Sequence, residues 1–309
     1  MRIVRSLERV AGSLRAPVVT IGNFDGVHHG HQVILQQLIR DAQACNAQSV
    51  VLTFDPHPVQ VVRPQAAPRL LMTLGDRLAT IARCRVDVTV VQRFSAQFAA
   101  IDADEFIRRF LVGILDAQKI LVGHDLNFGR GRTGNVDTLI AAGSRYGFAV
   151  EVIGPVEVDG VAVHSSRIRE LVSTGDVAAA ARLLGRPHRV RGRVRKGAGR
   201  GKGLGFATAN VAPRTPLPPG DGVYATLAYV DGQELDSVTS IGSTPTFGGG
   251  ESVIETHIFA ELDDLYGKPI AVDFLERLRD QQKFTSPAAL VAQIEKDVAQ
   301  AKAILAARG

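Results

Sequence analysis

Gly22-Asn23-Phe24-Asp25-Gly26-Val27-His28-His29-Gly30-His31 follows the apolar run Ala16–Gly22 and precedes Val33, Ile34, Leu35, Leu38, Ile39 and Ala42, which recur at helical spacing. The order is strand, glycine-rich turn, helix. In open α/β sheets ligands bind at the carboxyl ends of strands. Glycines there let backbone approach an anion, and a helix N-terminus offers unpaired N–H groups and positive potential. His28 and His31 are three residues apart and face one way on a helical turn. Two imidazoles on one side of an anion site can stabilise the charge that builds on a phosphate under attack. A glycine-rich turn with surface histidines has the same composition, but the His-x-Gly-His spacing at a strand-to-helix junction favours a phosphate site. Its candidate members are Gly22, Asn23, Phe24, Asp25, His28, Gly30 and His31.

Outward from this junction the alternation continues. Ser49–Phe54 reads as a strand closed by Asp55-Pro56-His57-Pro58, which cannot continue a helix. Helices around Leu74–Arg85, Ala103–Leu115 and Gly134–Tyr146 lead to strands at Val86–Val91, Lys119–Gly123 and Phe148–Ile153. Strand–helix alternation implies parallel strands with crossover helices, a doubly wound α/β sheet. After residue 186 the pattern changes. β-Rich segments at Arg189–Arg195, Gly222–Asp231, Glu234–Gly242, Ser252–Ala260 and Ile270–Leu278 are separated by Gly- and Pro-rich turns without crossover helices. That predicts an antiparallel sheet or small barrel. A final helix carries Leu290, Ile294, Val298, Ala301 and Leu305 on one face, with Ser286-Pro287 as N-cap and first residue. No internal repeat relates the halves, so two different domains are expected, 1–186 and 187–309.

Composition agrees. The 309 residues, 45% hydrophobic, suffice for two cores and exclude a disordered chain. No apolar run is long enough to span a bilayer, and the first residues hold no signal-peptide core, so a mature cytoplasmic protein without membrane association is expected. Cys45 and Cys84 are far apart and lack metal-spaced partners, which excludes a disulfide framework and a zinc site. A net charge of +5 suits anionic small molecules and does not demand nucleic acid. It says nothing of oligomeric state.

Four further stretches carry chemistry. In His164-Ser165-Ser166-Arg167-Ile168-Arg169, hydroxyls followed by arginine at a helix start form a second phosphate clamp, with Ser165, Ser166 and Arg169 as its donors. Together with His-x-Gly-His this looks like the divided triphosphate site of nucleotidyltransferases. Asp125 and Asn127, at the end of the strand Lys119–Gly123, fit both a loop that reads a base or hydroxyl and a plain β-turn. Arg189, Arg191, Arg193, Arg195, Lys196, Arg200 and Lys202 run without an acid into Gly197–Gly205, a flexible loop whose N–H groups can wrap phosphates. Thr208 and Asn210 then supply oxygen donors two residues apart, suited to Mg²⁺ or phosphate. The stretch contains little interleaved aromatic surface, which argues against RNA. Finally, Glu255 falls among apolar strand residues. It is a candidate general base for a hydroxyl nucleophile, although spacing alone favours a solvent-facing strand residue.

The first half, including Phe54-Asp55-Pro56-His57-Pro58 and Leu183-Leu184-Gly185-Arg186-Pro187, resembles the FMN adenylyltransferase module of the prokaryotic bifunctional riboflavin kinase/FAD synthetase family. The resemblance implies that His28 and His31 stabilise the α-phosphate, that Asn23 and Asp25 lie beside the triphosphate, that Asp125 helps hold nucleotide or flavin, and that Ser165, Ser166 and Arg169 clamp the outer phosphates. The second half resembles the riboflavin kinase module of the same family through Gly222-Val223-Tyr224-Ala225, Glu255, Asp264-Leu265-Tyr266-Gly267, Lys283-Phe284 and Gln293-Ile294 with Asp297. That resemblance implies a six-stranded antiparallel barrel with a terminal helix. It makes Glu255 the base for the ribityl 5′-hydroxyl, and Thr208 and Asn210 ligands of Mg²⁺ and ATP, with Gly197, Lys202 and Gly205 in the phosphate loop. Riboflavin, FMN, FAD and ATP are then substrates and products. Departures from the family pattern gather in this half: Ala207 replaces a usual proline, Lys202 an arginine, and Ser240 and Thr244 stand where Asn and Arg are frequent. They leave a monofunctional adenylyltransferase with a degenerate kinase as the alternative, and a flavin-sensing or RNA-binding protein as a more distant one.

Overall fold

The computed structural model describes residues 1–196, 206–243, 252–260, 262 and 264–308. Contacts divide the chain into two compact units, Met1–Pro68 with Leu74–Val163, and Arg69–Thr73 with His164–Gly309.

The first unit runs β1 (Arg2–Val4), β2 (Val18–Ile21), α1 (His29–Ala44), β3 (Ser49–Asp55), α2 (Pro58–Val62), α3 (Leu74–Arg83), β4 (Val88–Arg93), α4 (Ala96–Ala99) and α5 (Ala103–Phe106). It continues with β5 (Lys119–Gly123), β6 (Asn127–Phe128), β7 (Gly134–Asn135), α6 (Val136–Tyr146), β8 (Ala149–Ile153), β9 (Glu157–Val158) and β10 (Val161–Ala162). Six strands form one parallel sheet in the order β1-β4-β3-β2-β5-β8. All four residues of β2 and the first six of β3 are buried, as strands covered by helices on both faces must be. The single helix expected over Ala103–Leu115 is α5 followed by a π-helical stretch, Ile107–Ile114. Its wider turns still bury Phe106, Ile107, Phe110, Leu111 and Leu115 in one core with Val19, Leu52 and Ile120. Neither Cys45 nor Cys84 forms a disulfide.

The second unit contains α7 (Ser165–Thr174), α8 (Val177–Leu184), β11 (His188–Arg195), β12 (Ala209–Pro213), β13 (Gly222–Val230), β14 (Gln233–Ser243), β15 (Ser252–Ile258), β16 (Pro269–Arg279) and α9 (Pro287–Ala306). The strands close into a barrel in the order β11-β12-β15-β14-β13-β16, with β16 pairing back to β11. Closure leaves no free edge. Val190, Val194, Val211, Tyr224, Ile241, Ile254, Val272 and Phe274 fill the interior. On the outer face, α9 lays Ala301 and Leu305 on Val223, Ala225, Leu227 and Val238. Ser286 caps α9 by accepting from the Ala289 N–H, with Pro287 in its first turn. Arg279 clamps Asp297 of α9 through one edge of its guanidinium, Nε to Oδ1 at 2.9 Å and Nη2 to Oδ2 at 2.7 Å.

Contacts group residues 164–186 with the barrel, although the change of sequence pattern falls near 186. The cause is local. Val177 is fully buried in the barrel's own core cluster, and the backbone of Gly175, at φ +86°, lies against the Tyr224 hydroxyl where a Cβ would be 2.6 Å from it.

Candidate functional site

In the parallel sheet the chain proceeds from β2 outward to β3 and β4, then returns to place β5 on the other side of β2. The strand order therefore reverses between β2 and β5, and open α/β sheets bind ligands beyond the carboxyl ends of strands at such a reversal. The loop after β2 is Gly22–His28, and the loop after β5 holds Asp125 and Asn127. At the end of β5 a Cβ on Gly123 would lie 3.1 Å from Asp125 Oδ1 and 3.8 Å from the Ile34 side chain, so this strand end lies against α1, the helix that the first loop opens.

The Gly22–His28 loop is tightly held. The Gly22 N–H donates to Leu52 O at 3.1 Å, and the Val27 N–H to Phe24 O at 3.2 Å. Phe24 and Val27 both take left-handed backbone, at φ +52° and +41°, and both are buried. Such a backbone costs energy in residues with a Cβ and persists only where the surroundings impose it. The surroundings here are packed: a Cβ on Gly22 would touch the Phe24 ring at 3.0 Å, and that ring lies 5.0 Å from the His31 ring. His28 caps α1, its Nδ1 accepting the His31 N–H at 3.4 Å. In neutral His28 this leaves the proton on Nε2, a donor. The His28 and His31 rings stack with centroids 3.7 Å apart. Gly30 makes room for them, since a Cβ there would sit 3.3 Å from the His28 ring. The structure thus joins Gly22, Asn23, Phe24, Asp25, His28, Gly30 and His31 in one loop and helix start, with Asp25 and His28 buried.

Asp125 and Asn127 form a turn, Leu126 N–H to Gly123 O at 3.1 Å and Asn127 Nδ2 to Asp125 O at 2.8 Å, and both side chains are exposed. Position at the strand-order reversal and turn geometry are both present, so neither sequence alternative is displaced. Ser165 and Ser166 begin α7, and Arg169 lies one turn on from Ser165, on the same face. His164 occupies the N-cap without a side-chain cap.

One residue absent from the sequence reading lies beneath the first loop. Arg77 of α3 is 4% exposed. Its Nη1 donates to Asn23 O at 2.7 Å and its Nη2 to Phe54 O at 3.0 Å. Burial pushes its pKa down from the ordinary value, and the charges of Asp55 and Asp25 push it back up.

In the barrel, Arg195, Asn210, Glu255 and Ser240 are direct cross-strand partners on β11, β12, β15 and β14. Directly opposed residues share a face. Their neighbours Ala209, Val211, Ile254 and Thr256 are buried inside, so this row lies on the outer face. Asn210 and Glu255, 45 residues apart in sequence, become neighbours, and Thr208 precedes β12 by one residue. The oxygen set of Thr208 and Asn210 beside one carboxylate suits a hard cation that keeps waters and substrate phosphates in its shell. Gly197, Lys202, Gly205 and Thr244 lie outside the described residues.

Two further residues of this face escaped sequence reasoning. His257, two places beyond Glu255, donates from Nδ1 to Ala207 O at 2.9 Å, and its ring meets Phe206 edge-on at 5.4 Å. It fixes the segment that lacks the family's proline. Gln281 donates to Ser240 Oγ and Ile241 O, both at 2.8 Å. Part of the basic run is committed to the barrel itself: Arg189 pairs with Asp273 and stacks on Tyr229, and Arg193 donates to Gly267 O at 2.7 Å.

Residues 11–167 match the family model for FAD synthetase, and residues 184–305 that for riboflavin kinase. A bifunctional riboflavin kinase/FMN adenylyltransferase of Pseudomonas fluorescens is 39% identical over 307 residues, 99% of this chain and 98% of the relative. Its counterpart in Haemophilus influenzae is 37% identical over 304 residues, 98% of this chain and 99% of the relative. A crystal structure described as a macrolide-efflux protein from Streptococcus pneumoniae superposes with a TM-score of 0.87 at 30% identity, covering 96% of this chain and 97% of that one. Among the described residues of this chain, no helix is long and apolar enough to cross a membrane.

Proposed function

Because this chain belongs to the family of bifunctional riboflavin kinase/FMN adenylyltransferases, we infer that each of its two sites performs one phosphorus transfer of a two-step route to FAD. The chain is a riboflavin kinase and an FMN adenylyltransferase. Riboflavin and ATP give FMN and ADP, and FMN and a second ATP give FAD and pyrophosphate.

The observation that carries the adenylyltransferase assignment is the stacked pair His28–His31 at the sheet's strand-order reversal. There the FMN phosphate oxygen attacks the α-phosphorus of ATP, and the bond from that phosphorus to the bridging oxygen of pyrophosphate breaks. His28 and His31 donate to the α-phosphate oxygens as charge accumulates on them. Asn23 and Asp25 flank the triphosphate, Asp125 and Asn127 read nucleotide or flavin, and Ser165, Ser166 and Arg169 hold the outer phosphates. Neither histidine forms a covalent bond. Catalysis is positioning and charge stabilisation.

For the kinase, the row Asn210–Glu255 supports the assignment. Glu255 takes the proton of the ribityl 5′-hydroxyl as that oxygen attacks the γ-phosphorus of ATP and ADP departs. Thr208 and Asn210 would hold Mg²⁺, which when bound neutralises triphosphate charge. Gly197, Lys202 and Gly205 complete the phosphate loop in this proposal, and the folded chain works in the cytoplasm.

The test is incubation of the purified chain with riboflavin, ATP and Mg²⁺, followed by chromatographic resolution of flavins. FAD from riboflavin is expected. FAD from supplied FMN only would mean a degenerate kinase, and no new flavin would overturn both assignments.

A further inference from the structure

Arg77 holds the loop after β2 through its backbone, at the Asn23 carbonyl. It lies on α3, nearly without solvent, and reaches the carboxyl ends of two neighbouring strands at once. Nη1 donates to Asn23 O in the loop after β2 and approaches Thr53 Oγ1 at 3.4 Å, while Thr53 Oγ1 itself donates to Asn23 O at 3.3 Å. Nη2 donates to Phe54 O near the end of β3 and lies 3.8 Å from Asp55 Oδ1. A planar guanidinium with donors in a fixed fork suits two carbonyls on adjacent strands, and it keeps its proton at any working pH.

Two consequences follow. A trans peptide is planar, so drawing the Asn23 carbonyl toward Arg77 turns the Phe24 N–H the opposite way, and the next residues enter left-handed backbone at Phe24 and Val27. The Asn23 end of the loop is therefore held from beneath, and the loop that starts there runs to His28, the N-cap of α1. The second consequence is electrostatic. Asp25 and Asp55 both interact with Arg77, and Asp25 is buried in the loop itself. Uncompensated carboxylates there would repel an anionic substrate.

We propose that Arg77 is a positioning residue for adenylyl transfer. It latches the Asn23 carbonyl to the end of β3 so that His28 and His31 are presented in register, and it offsets the charges of Asp25 and Asp55. The proposal rests on the adenylyltransferase assignment above.

The test compares Arg77→Met and Arg77→Lys with the unaltered chain in two assays, FAD from FMN and ATP, and FMN from riboflavin and ATP. Arg77→Met should lower kcat for FAD formation by ~30-fold or more, as expected for sub-ångström misplacement of catalytic groups, with KM for FMN held within about twofold. Arg77→Lys keeps the charge and a donor for Asn23 O, and should recover to within about fivefold of the unaltered chain. FMN formation should be unchanged in both. Arg77→Met within about threefold of the unaltered chain in FAD formation would overturn the latch. So would Arg77→Lys performing no better than Arg77→Met, or either variant losing both activities in parallel. A melting curve shows whether Arg77→Met still folds, and if it does not, Arg77→Lys against the unaltered chain decides. An unaltered chain that makes no FAD from FMN would overturn the adenylyltransferase assignment, a result distinct from failure of the latch alone.

Discussion

Gly30→Ala offers a sharp test of the histidine pair because one methyl should leave stability nearly unchanged while lowering the rate. Gly30 is the second residue of α1, and its φ is not in the left-handed region. Alanine there gains up to ~1 kcal/mol of helix propensity, less so near the N-terminus. Against this, the new Cβ lies 3.3 Å from the Cε1 and Nδ1 atoms of His28 and 3.7 Å from Val163 O. Relief to ordinary carbon contact needs a ring shift of about 0.4 Å. Such overpacking costs ~1 kcal/mol, so the free energy of unfolding should change by less than ~1 kcal/mol either way. The rate has no such compensation. His28 and His31 stack, so both rings move together. If displacement of about 1 Å costs about 100-fold, 0.4 Å predicts about a sixfold fall in FAD formation. The assay is initial-rate conversion of FMN to FAD under saturating Mg-ATP, with FMN formation from riboflavin measured on the same preparation as the control. Unchanged FAD formation in a folded Gly30→Ala chain would show that the position of the His28 ring does not set the rate, and the assignment of that ring to the α-phosphate would fall.

Further expectations concern the two sites separately. His31→Ala should reduce FAD formation by ~100-fold or more, the loss of a donor to developing charge, while FMN accumulates from riboflavin. Glu255→Gln should do the reverse, stopping FMN formation by ~100-fold or more and leaving FAD synthesis from supplied FMN intact. His257→Ala releases the Ala207 carbonyl, and is expected to raise KM for ATP in FMN formation more than it lowers kcat. An equal effect on FAD formation from FMN would refute that local role.

Where side-chain pattern and burial coincide, the sequence is a reliable guide. The strand Lys119–Gly123 is read with the bounds it has, and the helical spacing of Val33, Ile34, Leu35, Leu38, Ile39 and Ala42 falls within α1. Four features are illegible for physical reasons. β1 has three residues, two of them exposed, at the edge of a sheet, so it shows no period. β12 alternates buried Ala209 and Val211 around Asn210 for too short a span to stand out beside a glycine-rich loop. This is the sixth barrel strand, and only its pairing with β15 puts Asn210 opposite Glu255. Arg77 is the clearest case. In Leu74–Arg83 it reads as one polar residue of an amphipathic helix, and its burial exists only because carbonyls from two distant segments converge on it. Likewise no glycine announces the left-handed backbone at Phe24 and Val27, since tertiary packing imposes it.

The placement of α8 bears on how the two activities can be separated by cutting the gene. A fragment begun at residue 187, where the sequence pattern changes, would lack Val177, which is fully buried among Val190, Tyr224 and Phe274. It would also lack Gly175, whose backbone lies against the Tyr224 hydroxyl. The barrel so exposed would carry a hole in its apolar interior, worth roughly 1–3 kcal/mol for a side chain of that size. A fragment begun at His164 keeps both residues and takes Ser165, Ser166 and Arg169 with it. The cut that preserves the barrel's integrity therefore differs from the one suggested by the change of pattern, and a kinase fragment that expresses as a stable protein will carry residues 164–183, which lie outside the stretch matching riboflavin kinase.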